Sequence, residues 1–327
     1  MKSVSIIICF YKGENRIAKT IAHLKKINLE GIENVELLLI DNNSPDNSRN
    51  VIESELKDFS RFSWRIINET KPGQTFARIR GIKESKYECI LFCDEDNWIS
   101  YDYLNIGLKI LNENKKIGVL GGFGIVVSDV EIPEWFEKNK AYYAVGPQMP
   151  QSGEVKDSRN TVYGAGMFVR REAIEGLFEK GFYFYTTGRL PSKLSSGDDS
   201  ELCLAIKISG YSIWYDDRLV FHHDISPDRL NLNYVERILE GDAESNYVIR
   251  FYREFINGYV PKVNNYFWMK EFLYSLKDFM IGLIKYPNKI SISRNFNFSK
   301  YLLLRRKKYN DDVRNIVIIC KSLTSHK

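Results

Sequence analysis

Apolar residues recur along the first hundred positions in two alternating rhythms. Residues 3–11 (SVSIIICFY) and 35–40 (VELLLI) are unbroken apolar runs, the pattern of strands covered on both faces. Between them Ile17, Ile21, Leu24 and Ile27 mark helical spacing over 14–29. A turn-rich stretch at 42–48, a helix through Leu56 and a short strand at 64–67 follow. The turn Lys71-Pro72-Gly73 opens a helix over 74–84, and 88–93 (ECILFC) reads as a fourth strand stopping at Asp94.

Farther on, a helix from Tyr101 leads to an apolar strand over 117–127 (IGVLGGFGIVV). Residues 128–161 are polar and contain prolines, which predicts a loop or lid. A strand over 163–170, a helical turn over 171–178, a mobile Gly/Ser/Pro-rich segment over 182–197 and a helix over 198–209 come next. Two short strands, 211–215 and 219–221, are expected with a turn between them, and the pattern is helical from Leu232 onward. Repeated strand–helix–strand units predict an α/β fold with a mostly parallel central sheet flanked by helices.

In such sheets ligands bind beyond the carboxyl ends of the strands, near a switch in strand order. Asp41 and the cluster Asp94-Glu95-Asp96 both stand at such ends. Three adjacent acids repel one another, and hard oxygen ligands of this kind suit Mg²⁺ or Mn²⁺ completed by substrate phosphates. A solvated acidic turn is the plain alternative. Asp41 can accept hydrogen bonds from a base or ribose, or simply cap the Asn/Ser turn after it. Gln74 opens a helix that carries Arg78 one turn in, a place to hold phosphate with backbone N–H groups and a guanidinium fork; a solvated amphipathic helix reads equally well. Asp198 and Asp199 introduce another helix, either as favoured first-turn acids or as a base for an incoming hydroxyl. His222 and His223 end a strand and offer nitrogen ligands, or a structural pair.

Composition narrows the class. Of 327 residues, 44% are apolar and 27% charged, ordinary for a globular chain able to build one large α/β domain with an appendage. Five scattered cysteines argue against a disulfide framework, and Cys89 and Cys93 have no second pair with which to hold zinc. No stretch reaches the roughly 20 apolar residues of a spanning helix, and the apolar run at 4–10 lacks a cleavage site; the expected place is the cytoplasm. Eight cations and no acid fall between Phe279 and Asn310, although the net charge is only +5. That basic tail, next to bulky apolar residues at 267–284, predicts peripheral contact with an anionic membrane, against the alternative of a packed helix with a solvated basic face. Without stacking motifs interleaved on the sheet, it does not predict nucleic-acid binding.

Taken in order, SVSIIICFYKGENRIAKTIAHL, LLLIDNNSPDNS, GQTFARIRGIKES, LFCDEDNW, GAGMFVRREA, SGDDSELCLAIKISGY and FHHDISPDRL resemble the family 2 glycosyltransferases with the GT-A fold, over about residues 3–225. Arg80 stands where the family often has Asn, and Asp198 where it more usually has Glu. The resemblance implies a Rossmann-like GT-A catalytic domain over 1–225, with nucleotide-sugar binding within about 1–100, the acceptor part over about 101–225, and a helical extension over 226–327. It implies nucleotide contacts from Phe10, Tyr11, Glu14, Asp41, Gln74, Arg78, Asp94 and Glu95. It implies a Mn²⁺ or Mg²⁺ ion on Asp96, Asp94 and His223, and a base at Asp199 with Asp198 next in line. The implied reaction is an inverting transfer from a nucleotide sugar, UDP favoured, to a glycan or lipid-linked acceptor, as in surface-polymer synthesis.

Two other readings compete. A nucleotidyltransferase also uses a parallel sheet and acidic metal ligands, but it wants a Gly-rich phosphate loop where this chain has Phe10-Tyr11-Lys12-Gly13-Glu14-Asn15. A nucleotide-sugar-binding protein without turnover shares every motif except a working base.

Overall fold

A computed structural model describes residues 1–157, 159–190, 193–285 and 289–324. Its first half alternates β1 (Ser3–Phe10), α1 (Ile17–Leu24), β2 (Asn34–Asp41), α2 (Ser48–Leu56), β3 (Ser63–Asn68), α3 (Gln74–Glu84) and β4 (Cys89–Phe92). β5 (Asn97–Ile99), α4 (Tyr103–Glu113), β6 (Ile117–Val127), β7 (Gly153–Glu154), β8 (Met167–Arg170), α5 (Arg171–Glu179), α6 (Asp198–Ile208) and β9 (Ser212–Asp224) complete the sheet and its cover. The sheet runs β3-β2-β1-β4-β8-β6-β9-β5, with β7 added on β9. β1 to β4, β6 and β9 point one way, while β5, β7 and β8 run against them.

The expected α/β sheet is therefore present, and its unbroken apolar runs have the reason the pattern implied. Ile6, Ile8, Leu37 and Leu39 face α1, α2 and α4 on one side, while Ile7, Leu38 and Ile40 face α3, α5 and α6 on the other. Both faces of these strands are dry, so alternation is lost.

Several local expectations change. Residues 211–215 and 219–221 are not two strands but parts of one, β9. The polar Asp216–Arg218 step that looked like a turn is a bulge in its ladder with β6, where the pairing jumps from Gly121↔Tyr215 to Phe123↔Val220. The strand at 163–170 shortens to β8. The segment 128–161 is packed rather than open: Phe136, Tyr143 and Val145 form a small core with Ile225, Tyr234 and Val235. β5, too short to show a period, follows the acidic cluster directly and pairs Asn97 with His223.

Beyond the sheet come α7 (Leu232–Ile256), α8 (Phe267–Lys285), α9 (Lys289–Arg305) and α10 (Tyr309–Thr324). α7 and α10 belong to the main core. Tyr252, Val313 and Ile316 are fully buried in the cluster that also holds Leu202 and Leu177, and Lys180 Nζ donates to the carbonyl of Leu323 at 3.1 Å. α8 is different, with Met269, Leu273, Leu276, Met280 and Leu283 all exposed. Because Ile316 is sealed in the shared core, Ile316→Ala should cost about 2–4 kcal/mol in urea denaturation of the whole chain. A change below about 0.5 kcal/mol would mean that α10 packs as a separate, weakly held unit.

Candidate active site

The acids predicted at strand ends gather along one rim, and each is shaped by the cation it faces. Asp94 follows β4 and is half-buried; Gln74 Nε2 lies 3.5 Å and Arg78 Nη2 3.6 Å from its Oδ1. Arg78, one turn into α3, spends its other arm on Asp198 Oδ2 at 2.7 Å. Both side chains of that ion pair are buried, so neither charge is left uncompensated in a poorly solvated place.

Asp199 is treated differently. Gly164 N–H donates to its Oδ2 at 2.9 Å and Ser200 N–H to its Oδ1 at 2.7 Å, but among the described residues no cation bonds to it directly. Burial, then the neighbouring charge of Asp198, push its proton affinity up, with Arg78 opposing. Position 164 must be glycine for this arrangement. A Cβ there would sit 2.7 Å from Arg78 Nη2 and 3.0 Å from Asp199 Cβ.

Asp96 points the other way from the rim, into a buried cluster. Arg229 Nη1 donates to its Oδ2 at 2.7 Å, and His223 Nε2 stands 3.4 Å from its Oδ1. Burial alone would raise this carboxyl, but His223 and Arg229 outweigh burial and hold it far below the carboxylate range. His223 Nδ1 lies 2.6 Å from the carbonyl oxygen of Tyr143, so Nδ1 is the protonated nitrogen and donates. Backbone register sets this up: β5 pairs with β9, and Asp224 N–H donates to the Asp96 carbonyl at 2.9 Å.

Among the described residues no group of three or more His, Cys, Asp and Glu forms an ion-binding cluster. The pair Asp96 and His223 still fits the chemistry of a divalent ion. Neighbouring ligands on an ion with bonds of about 2.1 Å stand about 3 Å apart, close to the observed 3.4 Å. An oxygen and a nitrogen on the protein, with water and phosphate making up the rest, is an accepted shell for Mn²⁺ or Mg²⁺.

Two clefts meet here. One is lined by Gln74, Arg78, Asp94, Asp198, Asp199 and His223, with Asp242 of α7 at its edge. The other is lined by Phe10, Tyr11, Asn42, Gln74 and Glu95, and Arg189 and Leu194 border both. Glu95 is turned under the loop after β1, where it accepts from Tyr11 N–H at 2.9 Å and is ion-paired with Arg16. Burial pushes its carboxyl up to about 7, partly offset by Arg16. Asp41 and Glu14 line neither cleft. Asp41 accepts from Ser44 N–H at 2.8 Å within the turn that carries Asn42, and Glu14, in the loop after β1, accepts from Asn47 N–H of that turn at 2.7 Å.

Several residues of the site carried no signal in the pattern. The segment expected to be mobile around 182–190 is tied down by Glu201, which accepts from Tyr185 N–H and Thr186 N–H at 2.9 Å each and from Thr186 Oγ1 at 2.6 Å. That segment in turn accepts the first N–H groups of α3, Gln74 to Arg189 O at 3.0 Å and Thr75 to Thr187 O at 3.2 Å. Pro191 and Ser192 of the same stretch lie outside the described residues. Glu201 reads from sequence only as one more acid in a first helical turn, and Arg229 follows no spacing rule.

Burial pushes Glu201 up to about 7 from an ordinary 4.5, although its hydrogen bonds pull the other way. The folded chain therefore binds more protons than the unfolded one within that window, and stability falls as pH rises through it. In urea denaturation at about pH 5 and about pH 7, the loss should be smaller in Glu201→Gln than in the parent. Equal losses would remove Glu201 as a titrating group.

Comparison with known proteins agrees with the geometry. The sequence model described as glycosyl transferase family 2 matches residues 5–178. Curated relatives are named as glycosyltransferases. EpsH of Bacillus subtilis is 29% identical over 101 residues, a match covering 31% of this chain but only 28% of that relative's length. Among solved structures, TarS 1–349 of S. aureus in complex with UDP-GlcNAc superposes with a TM-score of 0.54 at 13% identity, covering 93% of this chain and 92% of that one. Mannosyltransferase PcManGT from Pyrobaculum calidifontis, in complex with GDP-Man and Mn²⁺, gives 0.55 at 15% identity, with 98% and 84% covered. At such identities the superpositions speak for the fold, and the family match speaks for descent over more than half of the chain: this protein belongs to glycosyl transferase family 2 and has the GT-A fold.

Proposed function

We propose that the protein moves a sugar from a nucleoside-diphosphate sugar, UDP favoured, to a hydroxyl of a glycan or lipid-linked acceptor, inverting the anomeric centre. The observation that carries this reading is the unequal treatment of the paired acids on α6. Asp198 is neutralised by Arg78, whereas Asp199 keeps a raised proton affinity at the wall of the shared cleft. A carboxylate so placed is suited to take a proton from an attacking alcohol.

In this reading the nucleotide lies in the cleft floored by Phe10 and Tyr11, and Asp41 and Glu14 act by shaping the turn that carries Asn42. Gln74, Arg78 and Asp94 border the diphosphate. Asp96 and His223 would hold Mn²⁺ or Mg²⁺, with Asp94 on the ribose and phosphate side; the ion, when bound, supplies Lewis-acid stabilisation of the departing diphosphate. The acceptor hydroxyl gives its proton to Asp199 as its oxygen bonds to the anomeric carbon. The bond from that carbon to phosphate oxygen breaks, and the nucleoside diphosphate leaves with the electron pair. PcManGT, described with GDP-Man and Mn²⁺, and TarS, described with UDP-GlcNAc, support a donor of this class.

Asp199→Asn should retain donor and Mn²⁺ binding in calorimetry while losing about 10²–10⁴-fold in transfer rate. Asp96→Ala should lose metal-dependent binding itself. Equal loss of binding in both variants would overturn this division of labour, and full transfer by Asp199→Asn would place the base elsewhere.

Contact with an anionic membrane at its cytoplasmic face belongs to the same reading, since a lipid-linked acceptor resides there. No described helix is long and apolar enough to cross a membrane, so the contact would lie in the plane. Its centre moves from the basic tail to α8. Exposed Met269, Leu273, Leu276, Met280 and Leu283 recur at helical spacing, with exposed Lys270 and Lys277 beside them. The side chains of Lys285, Lys289 and Arg294 lie outside the described residues, and Lys300, Arg306, Lys307 and Lys308 are exposed on and just after α9. Lys270 and Lys277, seven positions apart, run along one edge of the stripe, and cations beside exposed apolar residues suit acidic lipid. The chain should float with phosphatidylglycerol-containing vesicles, and Leu273→Asp with Met280→Asp should lose at least tenfold of that binding. Undiminished flotation of the double variant would exclude α8 as the contact.

A further inference from the structure

Arg229, given no role by the sequence, stands near the end of the FHHDISPDRL stretch, on the short helical turn Pro227–Arg229 just after β9. It is only 5% exposed. Nη1 is bonded to Asp96 Oδ2 at 2.7 Å, and the buried Nε and Nη2 have only the Tyr234 side chain as a further, loosely placed partner among the described residues. The guanidinium sits 5.3 Å from the ring of Tyr234, and Tyr143 Oη donates to the Arg229 carbonyl at 2.8 Å, so the turn itself is fixed. A buried N–H that lacks a well-placed partner is costly, and more so when charged. The only carboxylate paired with this buried cation among the described residues is Asp96.

The other oxygen of Asp96 sharpens the point. Nε2 of His223, whose Nδ1 donates to the Tyr143 carbonyl, lies 3.4 Å from Asp96 Oδ1. Asp96 is thus claimed on one side by a permanent organic cation, while its other side faces a position suited to an inorganic one.

We propose that Arg229 is the resident counter-charge of Asp96, and that its guanidinium and a divalent ion compete for that carboxylate. The inference rests on the reading above that Asp96 and His223 hold the ion. While the ion is away, Arg229 keeps a buried carboxylate neutralised and in place. When the ion arrives, the charge on Asp96 is shared between two cations that repel each other, so ion affinity is lower than the ligands alone would give. The chain then resists loading with metal until donor phosphates add their own negative charge. Arg229 is a positioning residue in this scheme, acting through Asp96 rather than on substrate.

The test is Mn²⁺ binding to the full chain without nucleotide, read by electron paramagnetic resonance of free Mn²⁺ and by calorimetry. Arg229→Gln, which keeps a hydrogen bond to Asp96 but removes the charge, should tighten Mn²⁺ binding at least tenfold. Arg229→Lys, which keeps the charge, should stay within about threefold of the parent, and it retains a cation beside Asp96 if the Gln variant folds poorly. Adding UDP should narrow the gap between parent and Arg229→Gln. Equal or weaker Mn²⁺ binding by a folded Arg229→Gln, or tightening by Arg229→Lys as large as tenfold, would overturn the competition while leaving the ion on Asp96. Absence of Mn²⁺ binding in parent and variants alike, with UDP present, would overturn the ion site itself and this inference with it.

Discussion

Everything at this site follows from the cost of crowding carboxylates where water is scarce. Asp94, Asp96, Asp198 and Asp199 converge at the ends of two strands and one helix, and a buried carboxylate without compensation costs several kcal/mol. The chain meets that cost unevenly. Arg78 takes Asp198, Arg229 and His223 take Asp96, and Arg16 takes Glu95. Among the described residues Asp199 is left with backbone donors only. Division of labour among acids of similar type is thereby set by which cation each one meets, and the unpaired acid is the one able to accept a proton.

The backbone devices that place these charges are small. β8, running antiparallel between β4 and β6, lets the strand ends of β4 and β9 share a rim. β5 is only three residues long, yet its ladder with β9 is what brings Asp96 beside His223. Gly164 admits both Arg78 and Asp199 at distances a side chain would forbid. Gly188 does a similar service on the opposite wall: its φ is +63°, and a Cβ there would lie 3.1 Å from the Asp198 carboxyl. The segment around it binds α3 to α6 through Glu201, so the two walls of the cleft that these helices carry are mechanically one piece.

The helical extension is two things at once. α7 and α10 are walls of the main core, and α7 reaches the cleft with Asp242. α8 instead holds its apolar residues out to solvent. A packed helix hides its bulky side chains and an exposed one ordinarily lacks them, which is why this helix stands apart in the molecule.

The amino-acid sequence by itself determined the α/β class, the order of strands and helices through β4, and the acids at the strand ends. Those features are local: period, turn chemistry and the abrupt stop of an apolar run at Asp94 are written in adjacent residues. It also supplied Asp198, Asp199 and His223 as candidates, through motifs whose members lie close together in the chain. Tertiary structure alone decided which acid is free and which is bound, because Arg78 to Asp198 and Arg229 to Asp96 are contacts between residues more than a hundred positions apart. It likewise set Glu14 against the turn that Asp41 caps, joined two expected strands into β9, and brought Glu201 under the 182–190 segment and Arg229 onto Asp96. Charge pairing acts through space and over a few ångströms, so no pattern along the chain could have assigned it.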